Sequence, residues 1–362
     1  MQPGPYRLMP VEGNQPMTSR ERVLQAIAHQ PTDRTPADYG AIPAVTDALI
    51  RKLGMADAEE LLVALGVDMR RIWFDYGQPD TAPDAEGYVQ TMWGVRHRSN
   101  DPADGKPNFI SPFNEDTTVD EVHAHPWPDA RRLDYSKVRD ECRKHHGKYA
   151  TFGAPWSPFF HEVGWLVGQE EFMMWLHTKP EVIRAIINHV VDYEIAATRG
   201  FLKAADGLLD IAYFGNDFGT QRGMFISPGM WNAFIRQPLK RYFDASHDFG
   251  CKVMNHSCGA IRDIIPFLIA DGVDILDPIQ VAATGMDLAG LVRDFGGAVS
   301  FHGGVDTQRT LPFGSTADVR AEVRSYLALT RATGGYILCG SQEFIEDIPL
   351  DNILAMYDEN RR

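Results

Sequence analysis

Eight short apolar runs, most separated from the next by a stretch that patterns as a helix, set the strongest limit on how this chain can fold. The runs fall at residues 35–39, 69–74, 150–154, 209–214, 252–255, 273–276, 298–301 and 335–338. Helical patterns lie between most of them, at 181–205, 228–249, 261–270, 287–295, 317–333 and 350–360. Such alternation reads as βα units and a parallel sheet, because parallel strands need a crossover between them. Eight units predict an α/β protein of the (β/α)8 TIM-barrel class, which accommodates 362 residues as one unit with insertions.

Two features modify that plan. Thr18 or Ser19 caps an N-terminal helical extension, with Glu21 following and Val23, Leu24 and Ile27 at helical spacing. Between Trp73 and Trp127 the chain is rich in Pro, Gly, Asp and Asn, with one strand-like piece at 89–95. That length predicts a hairpin insertion near the barrel mouth, bringing Trp73, Tyr76, Tyr88 and Trp93 either to a pocket wall or to the packing beneath. Residues 1–17, with four prolines, read as a flexible arm ahead of a single domain spanning 18–362.

Charge and cysteine content narrow the partners. A net charge of −14 argues against nucleic acid, which needs clustered Lys and Arg. It also argues against a substrate with many carboxylates, unless positive groups are concentrated in one pocket. No run approaches the roughly 18 apolar residues of a membrane helix, and no secretory signal opens the chain, so the expected address is cytoplasmic. Four cysteines are too few for a disulfide framework in a chain this long. Cys142 reads as incidental and Cys251 as packing.

The strand ends are polar: Asp217, His256, Cys258, Asp277, His302, Asp306 and Cys339. In a barrel, chemistry gathers at those ends. Side chains two apart on a strand share a face, so His256 and Cys258 can converge on one ion. Cys339, ending the last run, offers a third ligand. An imidazole with thiolates favours zinc, and three protein ligands leave a position open for chemistry. A buried thiol beside a hydrogen-bonded histidine is the plainer alternative. Asp217 and Glu162 are candidate catalytic carboxylates that would position substrate, move a proton or complete the coordination. Tyr213, Asn216, Gln221, His302, Trp156 and Phe159 are candidate substrate contacts, the aromatic ones suited to a small organic molecule.

Five stretches resemble the uroporphyrinogen decarboxylase superfamily: 18–23, 215–221, 256–259, 301–308 and 349–357. The resemblance implies a (β/α)8 barrel with its site at the mouth. The haem-pathway decarboxylases carry an arginine-rich motif near the first strand, where this chain reads Ala37-Asp38-Tyr39-Gly40. The cobalamin-linked methyltransferase branch uses a His-x-Cys pair plus a later Cys on zinc, and His256 and Cys258 match it. The later position falls on Gln342, three residues beyond Cys339, so either a rearranged loop presents Cys339 or Glu343 or another group completes the site.

The expectation is therefore a zinc-dependent methyltransferase moving methyl between a small methylated compound and a corrinoid (cobalamin). A separate corrinoid protein would carry that cofactor, since no Asp-x-His-x-x-Gly stretch is present. Apolar helix faces on such a barrel allow a homodimer. The rival readings are a cobalamin-independent decarboxylase or lyase acting on a small organic acid, and a ligand-binding protein on the same barrel.

Overall fold

A computed structural model describes residues 17–78, 80–98 and 107–361, so the expected arm lies outside the described residues except for Met17. Its centre is a curled, seven-stranded parallel sheet. The chain forms β1 (Met69–Ile72), then three short strands β2 (Val89–Gln90), β3 (Arg96–His97) and β4 (Phe109–Ile110). It continues through β5 (Ala150–Gly153), β6 (Ile211–Gly215), β7 (Lys252–His256), β8 (Ile275–Asp277), β9 (Ser300–His302) and β10 (Tyr336–Ile337). The parallel sheet runs in the order β1-β5-β6-β7-β8-β9-β10, with helices in the crossovers.

The first expected strand, at 35–39, is reduced to an isolated bridge at Ala37. Pro36 has no N–H to give a ladder, so only its carbonyl pairs, accepting from Leu338. Asp38 N–H reaches Leu338 O and Asp68 N–H reaches Ala37 O, so the segment touches both the β10 and β1 ends of the sheet. The helix expected at 228–249 is two, Pro228–Phe234 and Arg236–His247.

Strand alternation builds the interior in two layers. Met69, Phe152, Ile211, Met254, Ile275 and Ile337 form an inner apolar cluster. Each is buried, a burial worth about 1.5–3 kcal/mol per large side chain. The helix Ser19–Ile27 adds Val23 and Ile27 to this cluster, and its N-terminus carries the Thr18–Glu21 capping box. Two residues further along the strands, on the same face, come Arg71, Tyr213, His256, Asp277 and Cys339, with His302 two beyond the buried Ser300 of β9, all lining one cavity. The polar strand ends therefore follow from period-two alternation with the apolar layer beneath.

The insertion is a three-stranded antiparallel sheet, β2-β3-β4. Trp93, 4% exposed, packs edge-on to Tyr193 in the long helix Pro180–Ala205 at 5.3 Å, so this residue anchors the insertion to the outside of the fold. Tyr88 is buried as well, and Tyr76 turns to Glu162. Trp73 alone of the four candidate aromatics borders the cavity.

Candidate metal centre and substrate cavity

Three donor atoms meet where the β6 and β7 strands end. His256, Cys258 and Asp217 offer a nitrogen, a sulfur and a carboxylate oxygen that all lie within 4.8 Å of one another. His256 Nε2 is 3.3 Å from Cys258 Sγ and 3.3 Å from Asp217 Oδ1. Atoms bound to one tetrahedral zinc at roughly 2.0–2.3 Å sit about 3.3–3.6 Å apart, so the spacing fits a shared ion. The mixed imidazole, thiolate and carboxylate set suits zinc better than magnesium or calcium.

Backbone bonds hold the two loops together. Asn216 N–H donates to His256 O at 3.1 Å, and Cys258 N–H donates to Asp217 Oδ1 at 2.8 Å. Phe218 N–H donates to Ser257 Oγ at 2.9 Å, and Gly259 N–H to Gln280 Oε1 at 2.7 Å. Asp217 N–H donates to His161 Nε2 at 3.1 Å. A backbone amide can only donate, so this ring nitrogen is unprotonated, and burial lowers the pKa of His161 in keeping with that.

Behind the donors lies a hydrogen-bonded chain. Asp277 is opposite His256 in the β7–β8 register, and its Oδ2 lies 2.8 Å from His256 Nδ1. Tyr213 donates its hydroxyl to the same Oδ2 at 2.6 Å. Asp277 Oδ1 meets His302 Nδ1 at 2.5 Å, and His302 Nε2 meets Asp38 Oδ2 at 3.1 Å. Burial alone would depress His302, but the charge of Asp277 and hydrogen bonds to Asp277 and Asp38 raise it to about 10. Burial likewise opposes a charged His256, yet Asp217, Asp277 and Cys258 together raise its pKa well above the ordinary value. The same surroundings would welcome a metal cation in place of that proton.

Several expected residues are placed elsewhere. Cys339 lines the cavity but its sulfur is not among the clustered donors; the thiol is 4% exposed, and burial followed by the charges of Asp38 and Asp277 pushes its pKa up. The loop beyond β10 instead sends Gln342, whose Nε2 donates to Cys258 Sγ at 2.7 Å. The carboxylate expected to be catalytic, Asp217, supplies the third atom of the donor cluster instead. Glu162 sits outside the cavity lining, where burial raises its pKa and Tyr76 donates to it at 3.3 Å. One residue earlier on the helix Phe159–Val167, His161 reaches the site instead, since neighbouring helical side chains diverge.

The substrate contacts divide similarly. Tyr213 and His302 line the cavity. Trp156 packs edge-on to His256 and to Tyr213, each at 5.1 Å. Phe159 is fully buried and stacks on Tyr242, a core role. Asn216 is buried, accepting from Phe160 N–H and donating to Ser157 O, so it braces the loop after β5. Gln221 is exposed and outside the cavity lining. Asp277, Gln342, His161 and Arg71 are the residues that had no role assigned from the sequence; Asp277 was visible as a polar strand end and Gln342 as the position of the family's later ligand, while His161 and Arg71 carried no distinguishing signal.

The cavity, about 440 Å³, is large enough for a small molecule and opens beside the donor cluster. A TIM-barrel-like α/β fold with a polar cavity at the carboxyl ends of its strands defines an enzyme-like architecture. The chain belongs to the uroporphyrinogen decarboxylase (URO-D) family, whose model matches residues 101–362. Among solved structures it is similar to a methyltransferase from Methanosarcina mazei, with a TM-score of 0.66 and 16% identity. That likeness covers 95% of this chain and 98% of the other, and at this identity it establishes the shared fold. The comparison with curated proteins gives no match. No helix among the described residues is long and apolar enough to cross a membrane.

Proposed function

We propose that the protein is a zinc-dependent methyltransferase on a (β/α)8 barrel, with the 35–39 segment serving as the eighth strand. It transfers a methyl group between a small methylated compound and a corrinoid carried by a separate protein. The observation that carries this reading is the meeting of Asp217, His256 and Cys258 beside a small-molecule cavity. Zinc bound there supplies Lewis acidity that makes a thiol or hydroxyl nucleophilic near neutral pH.

The chain's own residues prepare that site. Asp277 accepts a hydrogen bond from His256 Nδ1–H, which keeps the proton on Nδ1 and leaves Nε2 free to ligate. Tyr213 fixes Asp277 from the other side, and Gln342 donates to the thiolate, tempering its charge. Trp73 gives the cavity an apolar wall, and Trp156 covers the His256 ring edge-on, so both limit water around the reacting group. Elemental analysis of purified protein should give about one zinc per chain, lost on Cys258→Ala. Full metal occupancy in that variant contradicts the ligand assignment.

The family match favours a second reading, decarboxylation of a small organic acid with Asp217 stabilising a protonated intermediate. Metal-free protein that releases carbon dioxide from such an acid at the rate of the metal-loaded protein would establish it.

A further inference from the structure

Arg70 and Arg71 are neighbours on β1 with opposite fates. Arg70 is buried and fully engaged: it forms a two-pronged pair with Glu59, donates to the carbonyls of Val67 and Met69, and lies 3.7 Å over the Tyr149 ring. Arg71 points with Met69 toward the interior and lines the cavity. Its guanidinium makes no hydrogen bond or ion pair with another described residue. Aromatic rings alone hold it, with Cζ 3.7 Å over Trp73, 5.1 Å from the Tyr213 ring and 5.7 Å from the Trp156 ring.

A guanidinium carries five N–H donors in a rigid plane, and leaving them without acceptors in a partly enclosed site is unfavourable unless a ligand supplies them. Stacking on aromatic faces fixes that plane without using the donors, so the fork is pre-set for a planar carboxylate. Of the acids lining the cavity, Asp277 is committed to Tyr213, His256 and His302, Asp38 to His302 and Glu59 to Arg70, while Glu343, on the loop beyond β10, makes no ion pair with Arg71. Arg71 therefore has an uncompensated charge to offer to an anionic ligand in the cavity. Trp73, 73% exposed beneath it, offers a flat apolar surface to the body of that ligand. The Trp156 ring is shared, with Arg71 Cζ 5.7 Å and the His256 ring 5.1 Å from its centre. Arg71 Cζ therefore lies no farther from the centre of the His256 ring than the sum of those distances, a span that a single small molecule can bridge.

We propose that Arg71 binds the carboxylate of a small monoanionic substrate and directs the rest of the molecule toward Asp217, His256 and Cys258. The assignment rests on the methyl-transfer reading for what happens at the far end, but the carboxylate site stands on its own geometry. Arg71 precedes the residues matched by the family model.

The test is binding to the purified full chain, followed by tryptophan fluorescence and by calorimetry. The probes are benzoate and propanoate, each against its neutral amide. The carboxylates should bind more tightly than the amides. Arg71→Gln should weaken carboxylate binding by about tenfold or more while leaving amide binding unchanged, and Arg71→Lys should recover part of the loss. Zinc measured on the same samples separates the two readings: Arg71→Gln keeps wild-type metal, and Cys258→Ala loses it while still binding carboxylate. Carboxylates that bind no better than their amides, or an Arg71→Gln affinity within twofold of wild type, would overturn the proposal. A wild-type protein without metal that still prefers carboxylates would overturn the methyl-transfer reading alone.

Discussion

The carboxylate of Asp277 faces Tyr213 at 2.6 Å, His256 at 2.8 Å and His302 at 2.5 Å. A carboxylate can only accept, so it holds the proton of His256 on Nδ1 and turns Nε2 toward Cys258 and Asp217. Replacing it with an amide keeps the shape but removes the charge that fixes this tautomer. Asp277→Asn should lower zinc affinity about 10–100-fold, measured by competition with a chelator. Cys339→Ala should leave zinc affinity as in wild type, and a comparable loss there would return Cys339 to the metal. At this scale the sequence was legible where spacing alone decides, as for His256 and Cys258 two apart on one strand. It marked Gln342 but left open which residue of the loop beyond β10 turns inward. That loop delivers Gln342 to the sulfur and leaves Cys339 in the wall.

Between elements, two glycines set how closely the loops after β6 and β7 approach. A Cβ on Gly219 would lie 2.8 Å from Ala260 N and Cys258 O, and one on Gly259 would lie 2.4 Å from Gly219 C. Gly259 also has φ +82°, a conformation that side chains disfavour by roughly 1–2 kcal/mol. Because the obstacle is backbone, Gly259→Ala must push the loops apart and separate Asp217 from Cys258. Thermal unfolding should show a loss of stability, and metal content should fall together with it; an unaltered metal content would mean the close approach does not position the ligands. Strand positions were readable from apolar runs, since seven of the expected eight form named strands. The exception is the run containing Pro36, where the missing donor leaves a single bridge. The helix break at Ile235 was announced by Pro238, which has no N–H for the Phe234 carbonyl and whose ring clashes with it, so one continuous helix cannot run through 228–249.

For the whole molecule, curling the sheet converts distance along the chain into proximity. Asp38, Arg71, Asp277, His302 and Gln342 come from widely separated segments and border one cavity. A chain of net charge −14 presents a single unpaired guanidinium there, which matches a substrate with one negative group better than one with many. The class of fold was evident in the alternation of runs and helices; the membership of the cavity was not, because it depends on the register between strands and on loop paths. The central claim is that one nitrogen, one oxygen and one sulfur from His256, Asp217 and Cys258 hold a zinc ion. X-ray absorption at the zinc edge of the purified protein measures that directly. It should give one sulfur at about 2.3 Å with the remaining ligands nitrogen or oxygen at about 2.0–2.2 Å. Two sulfurs in the shell, or no zinc in protein purified without chelators, would contradict it.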